Sequence, residues 1–205
     1  MDQLMHKIGI IDCGMGNLTS VKNAFVAAGA DCNLITCSSE IASYEKVVLP
    51  GVGAFPFMMK NLYKKNFVDP ILKHVEDKYP MMGICLGMQV LFEQSYEFEK
   101  TNGLSILKGE VVKLPVGKYP VPNVGWWSLI GDFTAFSNDL SEKDTFYFVH
   151  SYFCKPAIKY DTLQIEINGD FALVGIRSQN VFGYQFHPEK SQKSGQKLIK
   201  SFMEL

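Results

Sequence analysis

No run in this sequence approaches the roughly 20 apolar residues that a membrane helix needs, so no membrane-spanning helix is expected. The first residues, MDQLMHKIGIIDCGMGN, show no charged segment followed by a long apolar one, which argues against a secretory signal. Net charge is nearly absent too. At −1 the chain has no field with which to recruit nucleic acid or an anionic membrane. Its densest basic cluster, Lys190 to Lys200, reads as a solvated helix face. Cys13, Cys32, Cys37, Cys85 and Cys154 are an odd set without a CxxC pair, which excludes a complete disulfide framework and gives no zinc spacing. Cys32 and Cys37 are close enough in sequence to suggest a bridge, but a reduced, cytoplasmic protein without metal or cofactor is the expectation. No Pro/Gly/Ser linker, repeat or low-complexity tract divides the chain, so residues 1–205 are expected to form one domain. What is present is an ordinary globular mixture, 47% hydrophobic and 20% charged, long enough to bury a real core.

The first half alternates short apolar runs with segments of helical period. Lys7–Asp12 is a β-branched run ending at the turn Cys13-Gly14-Met15-Gly16-Asn17. Val21, Ala24, Phe25 and Ala28 recur at helical spacing over Leu18–Ala28, and Gly29 stands where a C-terminal glycine belongs. Asn33–Thr36 and Lys46–Leu49 read as strands, the second ending at Pro50-Gly51-Val52-Gly53. A helical stretch follows over about Phe57 to Glu76, with breaks expected near Asn66 and Pro70. Met81–Ile84 is the next strand, and Leu86–Gln94 carries a helical pattern. Strands spaced by helices imply right-handed βαβ units. The fold class expected is therefore α/β, a mainly parallel central sheet flanked by helices. Beyond Gly103 the texture changes to short strand candidates, Val111–Leu114, Thr145–His150, Leu163–Ile167, Leu173–Ser178 and Val181–Gln185. These predict an additional antiparallel region, closed by a helix over Ser191–Leu205.

Gly83-Ile84-Cys85-Leu86-Gly87 lies at the carboxyl end of a predicted strand, where ligands collect in open α/β sheets. Its spacing is that of the G-x-S-x-G nucleophile elbow with sulfur in place of oxygen. A sharp strand-to-helix turn strains the nucleophile, and small neighbours avoid clashes. A following helix N-terminus would favour the thiolate and offer backbone N–H groups, that of Leu86 first, to a developing oxyanion. Free cysteines are more often buried packing residues, so the segment alone leaves both readings open.

A nucleophile needs a base. His6 and His74 read as surface residues, and His150, ending a strand, as core or site. His187 begins His187-Pro188-Glu189, where a carboxylate two residues away could orient the imidazole. An exposed loop with a fortuitous acid is the alternative.

Together, Gly83-Ile-Cys85-Leu-Gly87-Met-Gln89 and Phe186-His187-Pro188-Glu189 resemble the class I (triad) glutamine amidotransferases. Ile10-Ile-Asp12-Cys-Gly14-Met-Gly16-Asn17, Leu49-Pro-Gly51-Val-Gly53-Ala-Phe55, Tyr147-Phe-Val-His150-Ser151-Tyr152 and His187-Pro-Glu-Lys-Ser191 narrow the resemblance to the glutaminase subunits of imidazole glycerol phosphate synthases. The resemblance implies hydrolysis of L-glutamine to glutamate and ammonia, with Cys85 as nucleophile, His187 as acid and base, and Glu189 as its orienter. It implies that the loop holding Val52 and Gly53 completes an oxyanion hole begun by Leu86. Gln89, Glu97, Tyr147, Ser151 and Tyr152 would bind glutamine, and Asn17, Trp126 and Lys190 would face a partner. That partner is implied to be a separate (β/α)8-barrel cyclase, forming a heterodimer that channels ammonia into histidine biosynthesis.

One segment departs from the pattern. Where these subunits usually read Pro-His-Met-Gly-Trp-Asn, this chain has Pro122-Asn123-Val124-Gly125-Trp126-Trp127, and Cys13 stands where tyrosine is usual. In the family the Gly-Trp segment lies near the partner interface. The paired change at Asn123 and Trp127 therefore admits an alternative, a paralogous glutaminase supplying ammonia through a cyclase-like barrel to a sugar amidotransferase of surface-polysaccharide synthesis. A cysteine peptidase with the same triad, or a scaffold that only binds a partner, are the readings from other classes. Gln89, the PGVG loop and the HPEKS segment oppose the first, and the complete triad opposes the second.

Overall fold

A computed structural model describes residues 7–115, 117 and 120–205. Along the chain run β1 (Lys7–Ile11), α1 (Leu18–Ala27), β2 (Asp31–Ile35), β3 (Lys46–Gly51), α2 (Phe55–Lys64), α3 (Val68–Glu76), β4 (Met81–Cys85) and α4 (Leu86–Gln89). There follow β5 (Phe92–Ser95), β6 (Thr101–Asn102), β7 (Leu107–Lys113), β8 (Asn123–Ser128), β9 (Ile130–Gly131), β10 (Thr145–His150) and β11 (Tyr152–Pro156). The chain closes with β12 (Asp161–Ile167), β13 (Asp170–Ser178), β14 (Val181–Tyr184) and α5 (Gln192–Met203).

The central sheet has the order β2-β1-β3-β4-β14-β13-β12-β9. Pairing is parallel from β2 through β14 and antiparallel from β14 to β9, so the expected antiparallel region continues the same sheet. Two smaller antiparallel-rich sheets, β11-β7-β5-β6 and β10-β8, stand beside it. Alternation along the parallel strands divides the core. Ile8, Ile10, Val48, Met82 and Ile84 pack with Val21 and Phe25 of α1 and Leu198 and Phe202 of α5. Val47, Leu49 and Met81 pack on the other face with Phe55, Met58 and Leu62 of α2 and Ile71 of α3. Being covered on both faces is why these strands read as near-continuous apolar runs. Phe202 touches Phe25 and Phe182 edge-on, at 6.4 and 5.9 Å between centroids, and its truncation would cost about 3–5 kcal/mol.

Several expectations change. The long helical stretch breaks at Asn66, which turns left-handed at φ 58°, and not at Pro70, which sits in the first turn of α3 where a missing N–H costs little. The helix over Leu86–Gln94 is a single turn. Beyond Gln89, the carbonyls of Val90, Leu91, Phe92 and Glu93 accept from the N–H groups of Leu104, Leu107, Ser105 and Gly103 instead of from a following helical turn. His74 is buried rather than superficial: its Nε2 lies 3.2 Å from the Pro80 carbonyl and its ring packs on Tyr79. His6 lies outside the described residues. All five cysteines are free, so no Cys32–Cys37 bridge exists. The C-terminal lysines are partly solvated, but Lys197 pairs with Asp144 at 2.8 Å.

Candidate active site

Cys85 ends β4 with φ 54° and ψ −111°, a conformation that costs an L-residue strain and persists only where the surroundings impose it. The sheet supplies that constraint, because β4 is paired with β3 on one side and β14 on the other. The turn then folds directly onto β3. A Cβ at Gly87 would stand 1.8 Å from the Leu49 carbonyl oxygen, and one at Gly83 would stand 2.7 Å from the Gly87 carbonyl oxygen. Both positions therefore need glycine for close backbone approach, not only for flexibility. Register also places Gly51 opposite Cys85, which brings the Pro50–Gly53 loop beside the sulfur. With α4 only one turn long, few peptide dipoles align behind the thiol. The local N–H groups of the turn, Leu86 first, carry the electrostatic argument instead.

His187 leaves the sheet just after β14 and opens the short turn Pro188–Lys190. Its Nδ1 and Glu189 Oε1 are 2.7 Å apart, with both side chains only 3% exposed. The main chain around them is tied down. Ser191 Oγ donates to the His187 carbonyl at 2.6 Å, and His187 N donates to the Tyr147 carbonyl at 3.0 Å. With Nδ1–H committed to Glu189, Nε2 is the free nitrogen, buried and without another partner. Burial alone would lower the imidazole pKa, but the neighbouring Cys85 and Glu189 outweigh it and hold the pKa well above the ordinary value. The arrangement can take a proton from a thiol and keep it as an imidazolium against a carboxylate.

These groups open into a cavity of about 280 Å³. Of the residues the sequence singled out, Val52, Gly53, Cys85, Leu86, Gln89, Glu97, Ser151, Tyr152 and His187 line it. Glu189 stands behind His187. Tyr147 is not brought there. Its ring packs on Trp126 at 5.7 Å with the Lys190 ammonium 5.6 Å above it, on the outer face of β10. Glu97 Oε2 accepts from the Phe55 N–H at 2.7 Å, capping α2 from 42 residues away. Burial raises the Glu97 pKa, and that hydrogen bond partly offsets the rise. Larger grooves of about 600 and 500 Å³ lie beside β11–β12 and α3, but neither holds a cysteine–histidine–carboxylate set.

Two features of the site were not legible in the sequence. His150, left between core and site, is both: it lines the cavity, and burial holds its pKa down at about 4, so it is neutral. Gln185 is fully buried at the end of β14 and donates to Cys85 Sγ at 3.7 Å. The only signal for it was a lone amide within the apolar run Val181–Phe186.

Asn17, Trp126 and Lys190 are exposed, and the Asn17 side chain also caps α1 by accepting from Ser20 N at 3.2 Å. Asn123 and Trp127 do not share that outer surface. On β8 the exposed residues are Val124 and Trp126, whereas Asn123 is fully buried and Trp127 half-buried against the core. Among the described residues no group of three or more His, Cys, Asp or Glu could hold a metal ion, and no helix is long and apolar enough to cross a membrane.

Residues 9–205 match the family model described as glutamine amidotransferase class-I. The imidazole glycerol phosphate synthase subunit HisH of Caldanaerobacter subterraneus subsp. tengcongensis is 45% identical, covering 97% of this chain and 98% of that protein. The HisH subunit of Aquifex aeolicus is 45% identical over 94% of each chain, and that of Lactococcus lactis 42% identical over 98% and 99%. Among solved structures, one described as PurLQS from Thermotoga maritima superposes with a TM-score of 0.74 over 98% of this chain and 99% of its own, at 20% identity. Another, described as a glutamine amidotransferase, does so with a TM-score of 0.74 over 96% and 97%, at 18% identity. At that identity the likeness is one of fold.

Proposed function

The chain belongs to the class-I glutamine amidotransferase family, and from that premise we propose that it is the glutaminase subunit of an imidazole glycerol phosphate synthase. The observation that carries this reading is the meeting of Cys85, His187 and Glu189 at one cavity lined by Gln89, Glu97, Ser151 and Tyr152. One domain, residues 1–205, holds the whole site.

In the proposed reaction His187 Nε2 takes the Cys85 thiol proton and the sulfur attacks the δ-carbon of glutamine. The carbonyl oxygen becomes an oxyanion facing the Leu86 N–H and the Val52–Gly53 loop. The C–N bond breaks as His187 returns its proton to the nitrogen, and ammonia leaves. Water then attacks the thioester carbon as His187 accepts its proton, the C–S bond breaks, the proton returns to the Cys85 sulfur, and glutamate departs. Glu189 stabilises the imidazolium at each stage. The Glu97 carboxylate suits the substrate's α-ammonium, and Gln89 with the backbone of Ser151 and Tyr152 completes the substrate contacts. Tyr147, packed on Trp126, belongs with the outer rim in this scheme.

The partner is a (β/α)8-barrel cyclase, joined as a cytoplasmic heterodimer. Val52 and Val149 line the cavity and are exposed, and Val124 pairs with Val149 across β8 and β10. Exposed Trp126 and Lys190 flank the Tyr147 ring of β10, giving with the valines an apolar surface 38–53% exposed. Such a patch at a site that must pass ammonia onward supports docking there. The sugar-pathway alternative drew on Asn123 and Trp127 as interface residues, and their inward orientation removes that support. The test is glutamate release by the purified chain with and without the histidine-pathway barrel and its nucleotide ligand. Stimulation that Cys85→Ala abolishes is the expected result. Stimulation only by a sugar-pathway barrel would overturn the acceptor assignment, and peptide cleavage without glutaminase activity would overturn the reaction.

A further inference from the structure

The scheme above leaves Gln185 without a task, although it is fully buried and both polar ends of its side chain are engaged. Its Oε1 lies 2.9 Å from Gln89 Nε2, and its Nε2 lies 3.7 Å from Cys85 Sγ. The direction of these bonds follows from one group outside the pair. The Tyr152 carbonyl can only accept, and a terminal atom of the Gln89 amide lies 3.2 Å from it. That atom must be the nitrogen. The same nitrogen meets Gln185, so the Gln185 atom it meets must be the oxygen, and the Gln185 NH2 is left for the sulfur. Turning the Gln185 amide over would set nitrogen against nitrogen at Gln89 and, once Cys85 is a thiolate, oxygen against a negative sulfur, two unfavourable contacts at once.

The Tyr152 carbonyl orders a second branch. His150 Nδ1 lies 2.9 Å from it and so carries the proton, which makes Nε2 an acceptor for Asn123 Nδ2 at 3.0 Å. Asn123 Oδ1 then accepts from the Trp127 indole at 3.0 Å. The carbonyl is thus held by donors from two sides, and the Gln89–Gln185 pair hangs from a fixed point.

We propose that Gln185 is a further catalytic residue, donating an amide N–H to Cys85 Sγ, and that Gln89, anchored on the Tyr152 carbonyl, keeps this amide from turning over. A donor at the sulfur favours the thiolate over the neutral thiol, complementing His187 from another side. It also holds the sulfur at the cavity in a strained turn. The inference rests on the reading of Cys85 as nucleophile and adds to it a residue that the strand pairing of β14 with β4 delivers.

The test measures alkylation of Cys85 by iodoacetamide at pH 7, followed by peptide mass, in the isolated chain. Gln185→Leu is expected to slow it about tenfold, the scale of one lost hydrogen bond to a charged group. Gln89→Leu leaves Gln185 in place but frees it to turn, and is expected to slow alkylation about threefold, with the double variant no slower than Gln185→Leu alone. Alkylation of the exposed Cys37 serves as the internal control and stays unchanged in a folded variant. Should Gln185→Leu fail to fold, Gln185→Asn, which is one methylene too short to reach, takes its place with the same expectation. Alkylation within twofold of the unsubstituted chain in a folded Gln185 variant, or additive slowing in the double variant, overturns the proposal. Because alkylation uses neither glutamine nor partner, that failure would leave the glutaminase assignment standing.

Discussion

Asn123 and Trp127, four residues apart on β8, are hydrogen-bonded to each other, the indole Nε1 donating to Asn123 Oδ1 at 3.0 Å. The paired change singled out in the sequence, at Asn123 and Trp127, is therefore one interaction. The indole supplies the donor and the amide oxygen the acceptor, and the pair closes a chain that ends on the Tyr152 carbonyl.

This coupling sets the first prediction. Asn123→Leu leaves the Trp127 N–H and His150 Nε2 buried without partners and should cost about 2–4 kcal/mol, while Trp127→Phe should cost about 1–2 kcal/mol. The double variant should cost clearly less than the sum. Urea denaturation of the four proteins measures this, and strict additivity would show that the two residues act independently.

Gly87→Ala is the second. A Cβ 1.8 Å from the Leu49 carbonyl oxygen cannot be absorbed by a side-chain shift, because the obstacle is the backbone of a central strand. The expected outcome is a loss of about 3 kcal/mol or more in stability, with glutaminase activity abolished in whatever remains folded. A variant with unchanged melting temperature and activity would contradict the packing described for this turn.

Glu189→Gln is the third. An amide in place of the carboxylate can no longer stabilise an imidazolium and can turn its NH2 toward Nδ1, forcing the other tautomer. The kcat should fall by about a thousandfold or more while KM changes little. Steady-state glutamate release decides it; a KM effect alone would place Glu189 in binding rather than in proton transfer.

The fourth concerns pH. Burial, with the nearby His187 adding to it, keeps His150 neutral down to about 4, against an ordinary value of 6.5. An unfolded chain takes up this proton as pH falls through 6.5, whereas the folded chain does so only near 4. The stability contributed by the neutral ring is therefore complete above 6.5 and is lost as pH falls from there to about 4, by at most roughly 3 kcal/mol. In His150→Gln that part of the acid sensitivity should vanish, so the stability-against-pH curve flattens between pH 6.5 and 4. Parallel curves for the two proteins would mean that His150 titrates normally in the fold.

What adjacent residues determine was legible from the sequence alone. The alternation of apolar runs and helical periods announced the parallel sheet. Gly83-x-Cys85-x-Gly87 announced a strained strand-to-helix turn, and His187-Pro188-Glu189 an imidazole with a carboxylate two residues away. Each is a local matter of dihedral angle, steric room or short-range reach, which the amino-acid types specify by themselves. The tertiary structure decided what depends on meeting a distant segment. It ended the helix after Gln89 by offering its carbonyls to residues 103–107, buried His74, and turned Asn123 and Trp127 inward. It also brought Gln185 to a sulfur 100 residues away in sequence. Those outcomes rest on strand register and on which donor reaches a given carbonyl first. A period or a motif carries no information about that choice until the sheet has closed.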